Sequence, residues 1–329
     1  MRDGVAAAAS LRLRRMSPSS WAGALLYSAA WLLGRLPWAA LRPPARAIGR
    51  IAAWLGIREY RVAAKNVALA GLAPPGRQLA MARAIVAGTA LTTLESLKVW
   101  TSDPARNLAR ITAEDGADLF HAAVAAGRGL IVAAPHYGNW ELLNQWLAAQ
   151  GPLAVLYRKP ESAIGEAVLR RVRGVGEVTQ VPAEGAAMRA LYRTLQGGGV
   201  VGILPDQQPK LGDGVFAPFF GVQALTMTLL HRLAERTGAA VLVGAVERRA
   251  DGEGFTLRFT PAPAAVSGPD PQAAAEALNG AIEALARRDL CQYQWTYKRY
   301  TVRPPGSGED NPYWRMPRPS EPTTPGPSR

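Results

Sequence analysis

Apolar positions along the chain change their period near residue 103. Before it the spacing is helical. Val62, Val67 and Leu69 recur opposite Arg61, Lys65 and Asn66, the run Pro74-Pro75-Gly76 interrupts, and a second helix is predicted from Arg77 to Trp100. Glu95 and Lys98, near the end of that helix, read as a solvated face. After Asp103-Pro104 the pattern alternates. Short apolar runs at 130–134, 153–157, 177–181, 200–204, 241–246 and 255–259 read as strands. Helical segments are predicted at 113–126, 140–150, 163–172, 185–196, 226–237 and 272–288. Strands alternating with helices predict an α/β fold, a layered, mostly parallel sheet flanked by helices. Asp251-Gly252-Glu253-Gly254 predicts a late antiparallel hairpin.

The two ends of the chain differ from this middle. Residues 1–20 form a basic tail with Arg2, Arg12, Arg14 and Arg15. Trp21 to Leu33 is apolar until Arg35 and Pro37 break it. Thirteen clean residues fall short of the roughly 20 that span a bilayer, and tolerating Arg35 extends the candidate to Leu41. Around and after Pro43-Pro44, arginines at 42, 46, 50 and 58 interleave with Ile48, Ile51, Trp54 and Leu55, the composition of an interfacial helix. Residues 21–57 are therefore expected to form an N-terminal membrane-associated helical segment, with the main domain at 58–303. Gln292 to Tyr300 alternates, with Tyr293, Trp295 and Tyr297 on one face. Residues 304–329, rich in proline, glycine and serine, are expected to be disordered.

Composition adds a preference in partners. With 38 Lys+Arg against 25 Asp+Glu the formal charge is +13, which favours anionic partners such as a membrane surface or an acidic protein. The basic residues are dispersed, without the aromatic interleaving of a nucleic-acid module, so no nucleic-acid partner is expected. A single cysteine, Cys291, leaves no internal disulfide, and no metal-ligand spacing is present. Neither a metal nor a cofactor is implied.

The candidate chemistry lies at the first strand-to-helix handover. Leu130 to Ala134 leads through Pro135 into His136, Asn139 is placed to cap the next helix, and Glu141 falls in its first turn. This puts His136 and Glu141 at the carboxyl mouth of the sheet, where open α/β sheets place ligands. A neutral imidazole suits proton abstraction near neutral pH, and a carboxylate reached through the turn would fix its tautomer. No serine, threonine or cysteine stands beside the histidine where an acyl-enzyme nucleophile would be, so direct transfer to a substrate hydroxyl is expected. Arg158 and Asp206 follow other strand ends, Arg158 on the strand expected next to that of His136. Phe216, Phe219 and Phe220 are candidates to line an acyl channel. His121 and His231 fall on predicted helices and receive no role.

The His-x4-Glu spacing of His136 and Glu141 resembles the motif of the glycerolipid acyltransferase superfamily. Its flanks resemble the late acyltransferases of lipid A biosynthesis, the lauroyl and myristoyl transferases. Four further blocks carry the narrower likeness: Tyr157-Arg158; Leu204-Pro205-Asp206-Gln207; Phe216 to Gly221; and Gln292-Tyr293-x-Trp295-x-x-Lys298-Arg299. Lys159-Pro160 stands where the family commonly has Asn-Pro, and Leu290 where it has proline. The resemblance implies a glycerolipid acyltransferase-like fold at the cell inner membrane, its catalytic domain on the cytoplasmic face. The donor would be an acylated acyl carrier protein and the acceptor a lipid A precursor, or another lipid such as a phosphatidylinositol mannoside or a lysophospholipid. It makes His136 the general base, Glu141 its partner, and Arg158, Arg173, Asp206 and Gln207 the groups that bind substrate or hold the oxyanion. Arg170 and Arg171 compete with Arg173 for that place. A non-enzymatic basic membrane or nucleic-acid-binding protein is the reading from another class.

Overall fold

The computed structural model describes residues 34–157, 178–183 and 187–314, together with Ser28, Trp31, Leu32 and Met316. Helices α1 (Arg42–Leu55), α2 (Arg58–Leu69) and α3 (Gln78–Thr101) come first, and the short α4 (Pro104–Leu108) leads into the sheet region. There follow β1 (Ile111–Asp115), α5 (Ala117–Ala125), β2 (Leu130–Ala133), α6 (Trp140–Ala149), β3 (Leu153–Tyr157), β4 (Val178–Pro182), α7 (Ala187–Gln196) and β5 (Val200–Ile203). A hairpin of β6 (Gly214–Phe219) and β7 (Val222–Met227) precedes α8 (Leu229–Thr237), β8 (Ala240–Arg248), β9 (Phe255–Pro261) and α9 (Pro271–Ala286).

Seven strands form one sheet in the order β1-β9-β8-β2-β5-β3-β4. β8, β2, β5, β3 and β4 run parallel, and only the β8–β9 pair is antiparallel. The α/β sheet and its late hairpin thus follow the expected pattern. Two details differ. β5 lies between β2 and β3, so the strand preceding Arg158 is not the neighbour of the strand preceding His136. The predicted helix at 113–126 is shorter, because Ile111–Asp115 pairs with β9 as an edge strand and Gly116, at φ 81°, turns the chain into α5.

Alternation along the strands builds two cores. Ile131 and Ala133 of β2, with Val201 and Ile203 of β5, face α7, α8 and the C-terminal aromatics. Leu130 and Val132, with Leu153 and Val155 of β3, face α6 through Leu142, Leu143 and Trp146. The β6–β7 hairpin closes on Phe220-Gly221, both with positive φ, the geometry of a tight two-residue turn. A left-handed phenylalanine costs about 1–2 kcal/mol. Its ring, buried and edge-on to Trp295 at 4.9 Å, offsets this by leaving water.

In the N-terminal region α1 packs on α3 through Ala45, Gly49 and Ala52. A side chain at Gly49 would come within 2.9 Å of the Arg83 carbonyl and the Ala87 methyl, so only hydrogen permits this approach. The opposite face exposes Ile48, Ile51, Trp54 and Leu55. Among the described residues no helix is long and apolar enough to cross a membrane. Glu95 and Lys98 are buried, contrary to the solvated face expected of them. Glu95 accepts two hydrogen bonds from Arg248 at 2.7 and 3.0 Å, and the Lys98 ammonium caps the Gly34 and Leu36 carbonyls. Helical periodicity located their face but could not reveal that β8 and the segment before α1 cover it.

Of the tail expected to be disordered, residues 304–314 depart from expectation, and residues 315 and 317–329 lie outside the described residues. Through Trp314 the tail lies on the domain, with Tyr313 buried and its hydroxyl donating to the Asn66 side chain. Residues 292–300 form no strand. A short 3-10 turn and successive bends bury Tyr293, Trp295 and Tyr300 and leave Tyr297 half-buried.

Candidate active site

Register alone brings the first two groups together. Ala133 of β2 pairs with Ile203 of β5, and His136 and Asp206 each lie three residues beyond that pair. β2 also pairs with β8 on its other side, so the chain order reverses there, the kind of switch point at which open α/β sheets bind ligands. One Asp206 oxygen meets the His136 Nδ1 at 2.8 Å, and the other accepts from the His136 backbone N–H at 2.9 Å. Burial alone would raise the Asp206 carboxyl, but the His136 charge and the hydrogen bonds from His136 outweigh it and hold the group below its usual value. When the ring is neutral, the ionised carboxylate accepts from Nδ1–H, and the lone pair is left on Nε2. Nε2 faces the Gln207 amide nitrogen at 3.2 Å.

The turn carrying His136 is held on all sides. Gly138 takes φ 61° and its N–H donates to the Gln292 carbonyl at 3.0 Å; Asn139 donates to the Val246 carbonyl at 2.8 Å, and Gln294 to the His136 carbonyl at 3.0 Å. Gly138 lies so close to the Val246 carbonyl that a side chain there would collide. The Tyr137 hydroxyl donates to Glu247 at 2.9 Å, and Glu247 also accepts from Arg258 and Arg288. Burial, then the Glu247 charge, push the Tyr137 phenol far above its ordinary range, so it stays a donor. The Asn139 side chain caps α6 by accepting from the Leu142 N–H at 2.9 Å.

Glu141 occupies the first turn of α6, buried, as its spacing predicts. The carboxylate at Nδ1 of His136 is Asp206, where Glu141 was expected. Glu141 instead lines a groove of about 290 Å³ between α6, the end of α3, and strands β3 and β4. Asp206 and Gln207 are therefore brought to His136. Arg158, Arg170, Arg171 and Arg173 lie outside the described residues. Phe219 and Phe220 are core, packed on Tyr293 and Trp295; Phe219 borders a cavity of about 10 Å³ that also touches Asp206 and Gln207, and Phe216 is half-buried on β6. His121 packs edge-on to Phe120 on α5, and His231 is buried on α8.

The family described as bacterial lipid A biosynthesis acyltransferase matches residues 10–301. The chain belongs to that family. It is 30% identical over 193 residues to the lipid A biosynthesis palmitoleoyltransferase of Escherichia coli (strain K12), a match covering 58% of this chain and 62% of that protein. It is 23% identical over 295 residues to the lipid A biosynthesis lauroyltransferase of the same organism, covering 88% of this chain and 95% of the relative. A phosphatidylinositol mannoside acyltransferase of Mycobacterium tuberculosis (strain CDC 1551 / Oshkosh) is 31% identical over 142 residues, covering 42% and 44%.

Within this lipid A acyltransferase family member, residue patterns did not single out the supports of the site. Gln292 accepts from the Arg248 N–H at 2.7 Å and donates to the Arg248 carbonyl at 3.0 Å, joining the end of β8 to the His136 turn. Glu247 and Tyr137 lie 110 positions apart, and no local spacing announces such a pair. The one available signal was the Gln292–Arg299 block. Its Arg299 is buried, donating to the Leu225 carbonyl at 2.6 Å and the Thr226 hydroxyl at 3.0 Å, so it braces the β6–β7 hairpin.

Proposed function

We propose that this protein transfers a fatty acyl chain from an acyl carrier protein thioester to a hydroxyl of a lipid A precursor, at a bacterial inner membrane and on its cytoplasmic face. The observation that carries this is the His136–Asp206 pair at the switch point of the sheet, in a chain of the lipid A acyltransferase family. His136 Nε2 removes the acceptor's proton as its oxygen attacks the thioester carbonyl. Asp206 holds the ring in the tautomer with the lone pair on Nε2 and stabilises the imidazolium. Collapse of the tetrahedral intermediate breaks the C–S bond, and the imidazolium returns its proton to the departing thiolate. No covalent acyl-enzyme forms. Gln207, which meets Nε2 at 3.2 Å, gives way to the incoming hydroxyl. Arg158 and Arg173 are assigned the oxyanion or the acceptor's phosphate groups. Glu141 stands in the first turn of α6, where a carboxylate suits the helix dipole.

Membrane attachment is supported by the apolar face of α1 and by the exposed arginines at 46, 50 and 58 around it. The acceptor assignment rests on the names of the relatives, one of which is a phosphatidylinositol mannoside enzyme. Membranes containing the protein, incubated with acylated carrier protein and a lipid A precursor, are expected to yield a product heavier by one acyl chain. His136→Ala is expected to lower that rate by about 10²–10⁴-fold. Undiminished transfer by this variant rejects the mechanism. Transfer to a phosphatidylinositol mannoside in preference to the lipid A precursor rejects the acceptor.

A further inference from the structure

The cavity of about 10 Å³ that touches Asp206 and Phe219 is also bordered by Tyr293, Trp295 and Arg299. Its size suits one water molecule. The Trp295 indole Nε1 and the Arg299 Nε are buried, in residues 2% and 4% exposed, and neither has a hydrogen-bond partner among the described residues. The other two Arg299 nitrogens donate to the Leu225 carbonyl and the Thr226 hydroxyl, so the hairpin leaves Nε–H over. Two buried donors on residues bordering one cavity are costly unless something accepts from both. The same border holds an acceptor, Asp206, whose oxygens each receive one hydrogen bond from His136 and keep further lone pairs. Burial, then the Asp206 charge, push the Tyr293 phenol well above its ordinary range, so its hydroxyl stays a donor beside the carboxylate. The backbone of this segment is itself bonded to the histidine turn, Tyr293 opposite Tyr137 and Gln294 to the His136 carbonyl.

We propose that the cavity seats one water molecule that joins Trp295 and Arg299 to Asp206. The water accepts from Trp295 Nε1–H and Arg299 Nε–H and donates to the carboxylate, the three hydrogen bonds usual for a buried water. Tyr293, Trp295 and Arg299 are then positioning residues, acting through Asp206 on His136. Donors on the carboxylate draw charge from it, which keeps it ionised and moderates its pull on the proton at Nδ1. The titratable and charged groups around Asp206 are His136, from the turn after β2, and Tyr293, Tyr297 and Arg299, from the C-terminal segment. The inference rests on the reading of His136 as general base, and it gives the Gln292–Arg299 block a part in setting the strength of that base.

The chain has three histidines, so the ring signal of His136 can be followed by NMR in the full chain with labelled histidine and identified by its loss in His136→Ala. Tyr293→Phe and Trp295→Phe each delete one donor and keep an aromatic ring. With a donor gone the carboxylate holds the imidazolium more tightly, and the His136 titration midpoint is expected to rise by about 0.3–1 pH unit in each variant. The acid limb of kcat/KM should move with it. Lost packing alone would lower activity without moving either. An unmoved midpoint in both variants overturns the proposal, and a midpoint moved by Tyr293→Phe alone rejects the water. A high-resolution crystal structure of the full chain is expected to show one ordered water within hydrogen-bond reach of Trp295 Nε1, Arg299 Nε and an Asp206 oxygen; protein partners on both nitrogens, with no water between them, overturn the site. A raised midpoint without transfer to any lipid A precursor supports the positioning and rejects the acceptor proposal; transfer with an unmoved midpoint does the reverse.

Discussion

On one face of the central sheet Ile131, Ala133, Val201 and Ile203 meet Tyr293, Trp295, Phe219 and helices α7 and α8, and the contact is closed. On the other, Leu130, Val132, Leu153 and Val155 meet α6, and the outer edge of that helix leaves an open slot beside β3 and β4. The strands are the same and their alternation supplies apolar side chains equally to both. The difference lies in what arrives from elsewhere in the chain: the C-terminal aromatics seal one face, and nothing of that bulk reaches the edge of the other. Rigidity and room are thereby divided between two sides of a sheet only one residue thick. The histidine turn stands on the rigid side's supports.

Breaking the closed face should have the largest effect on stability. Trp295→Ala removes a fully buried indole that packs on Tyr293, Phe219 and Phe220, and is expected to cost about 3–5 kcal/mol, read from urea unfolding. A loss below 1 kcal/mol would mean that this face is as yielding as the other. Next comes Asp206→Asn, which weakens the charged hydrogen bonds to His136 and is expected to cost about 1.5–3 kcal/mol at neutral pH. Because the native carboxyl titrates below its unfolded value of about 3.9, that contribution is complete above this pH and fades as pH falls through the depressed native value. The gap between wild type and variant should therefore close in acid; a gap independent of pH would remove the charge from the account.

On the open face the same measurement should register little. Ala148→Phe enters empty space and is expected to stay within about 0.5 kcal/mol of wild type. A cost of several kcal/mol would show that the slot closes in solution. Smallest of all is Trp54→Ser, at a residue 83% exposed, which should leave unfolding unchanged. Its effect is expected in co-sedimentation with anionic vesicles, reduced several-fold. Equal binding by the variant would remove the apolar face of α1 from membrane attachment.

How much of this was legible in the chain depends on how local the cause was. β2, α6 and the Asn139 cap follow from an apolar run, a proline and a capping residue within fifteen positions, and they stand where predicted. The β8–β9 hairpin was announced by its glycine-rich turn. Asp206 could be named from its block, but its place at Nδ1 depends on β5 being the neighbour of β2, and strand order is not written in periodicity. The same ignorance put the strand of Arg158 beside that of His136 and gave Glu141 the position that Asp206 holds. Buried Glu95 is intelligible only with Arg248, 153 positions away. Long-range partners of this kind decide whether a polar residue on a helix faces water or a core.

The tie between Gly138 and Gln292, and that between Gln294 and His136, set the order in which the site can come into being. A nascent chain that has already emerged past β5 carries His136 and Asp206 but not the residues that fix the turn. The geometry of the candidate site is therefore completed only when residue 294 leaves the ribosome, with most of the domain already made. Synthesis itself acts as a timer, and a product terminated before Gln292 carries His136 and Asp206 with the ties from Val246 and Glu247 but without those of Gln292 and Gln294.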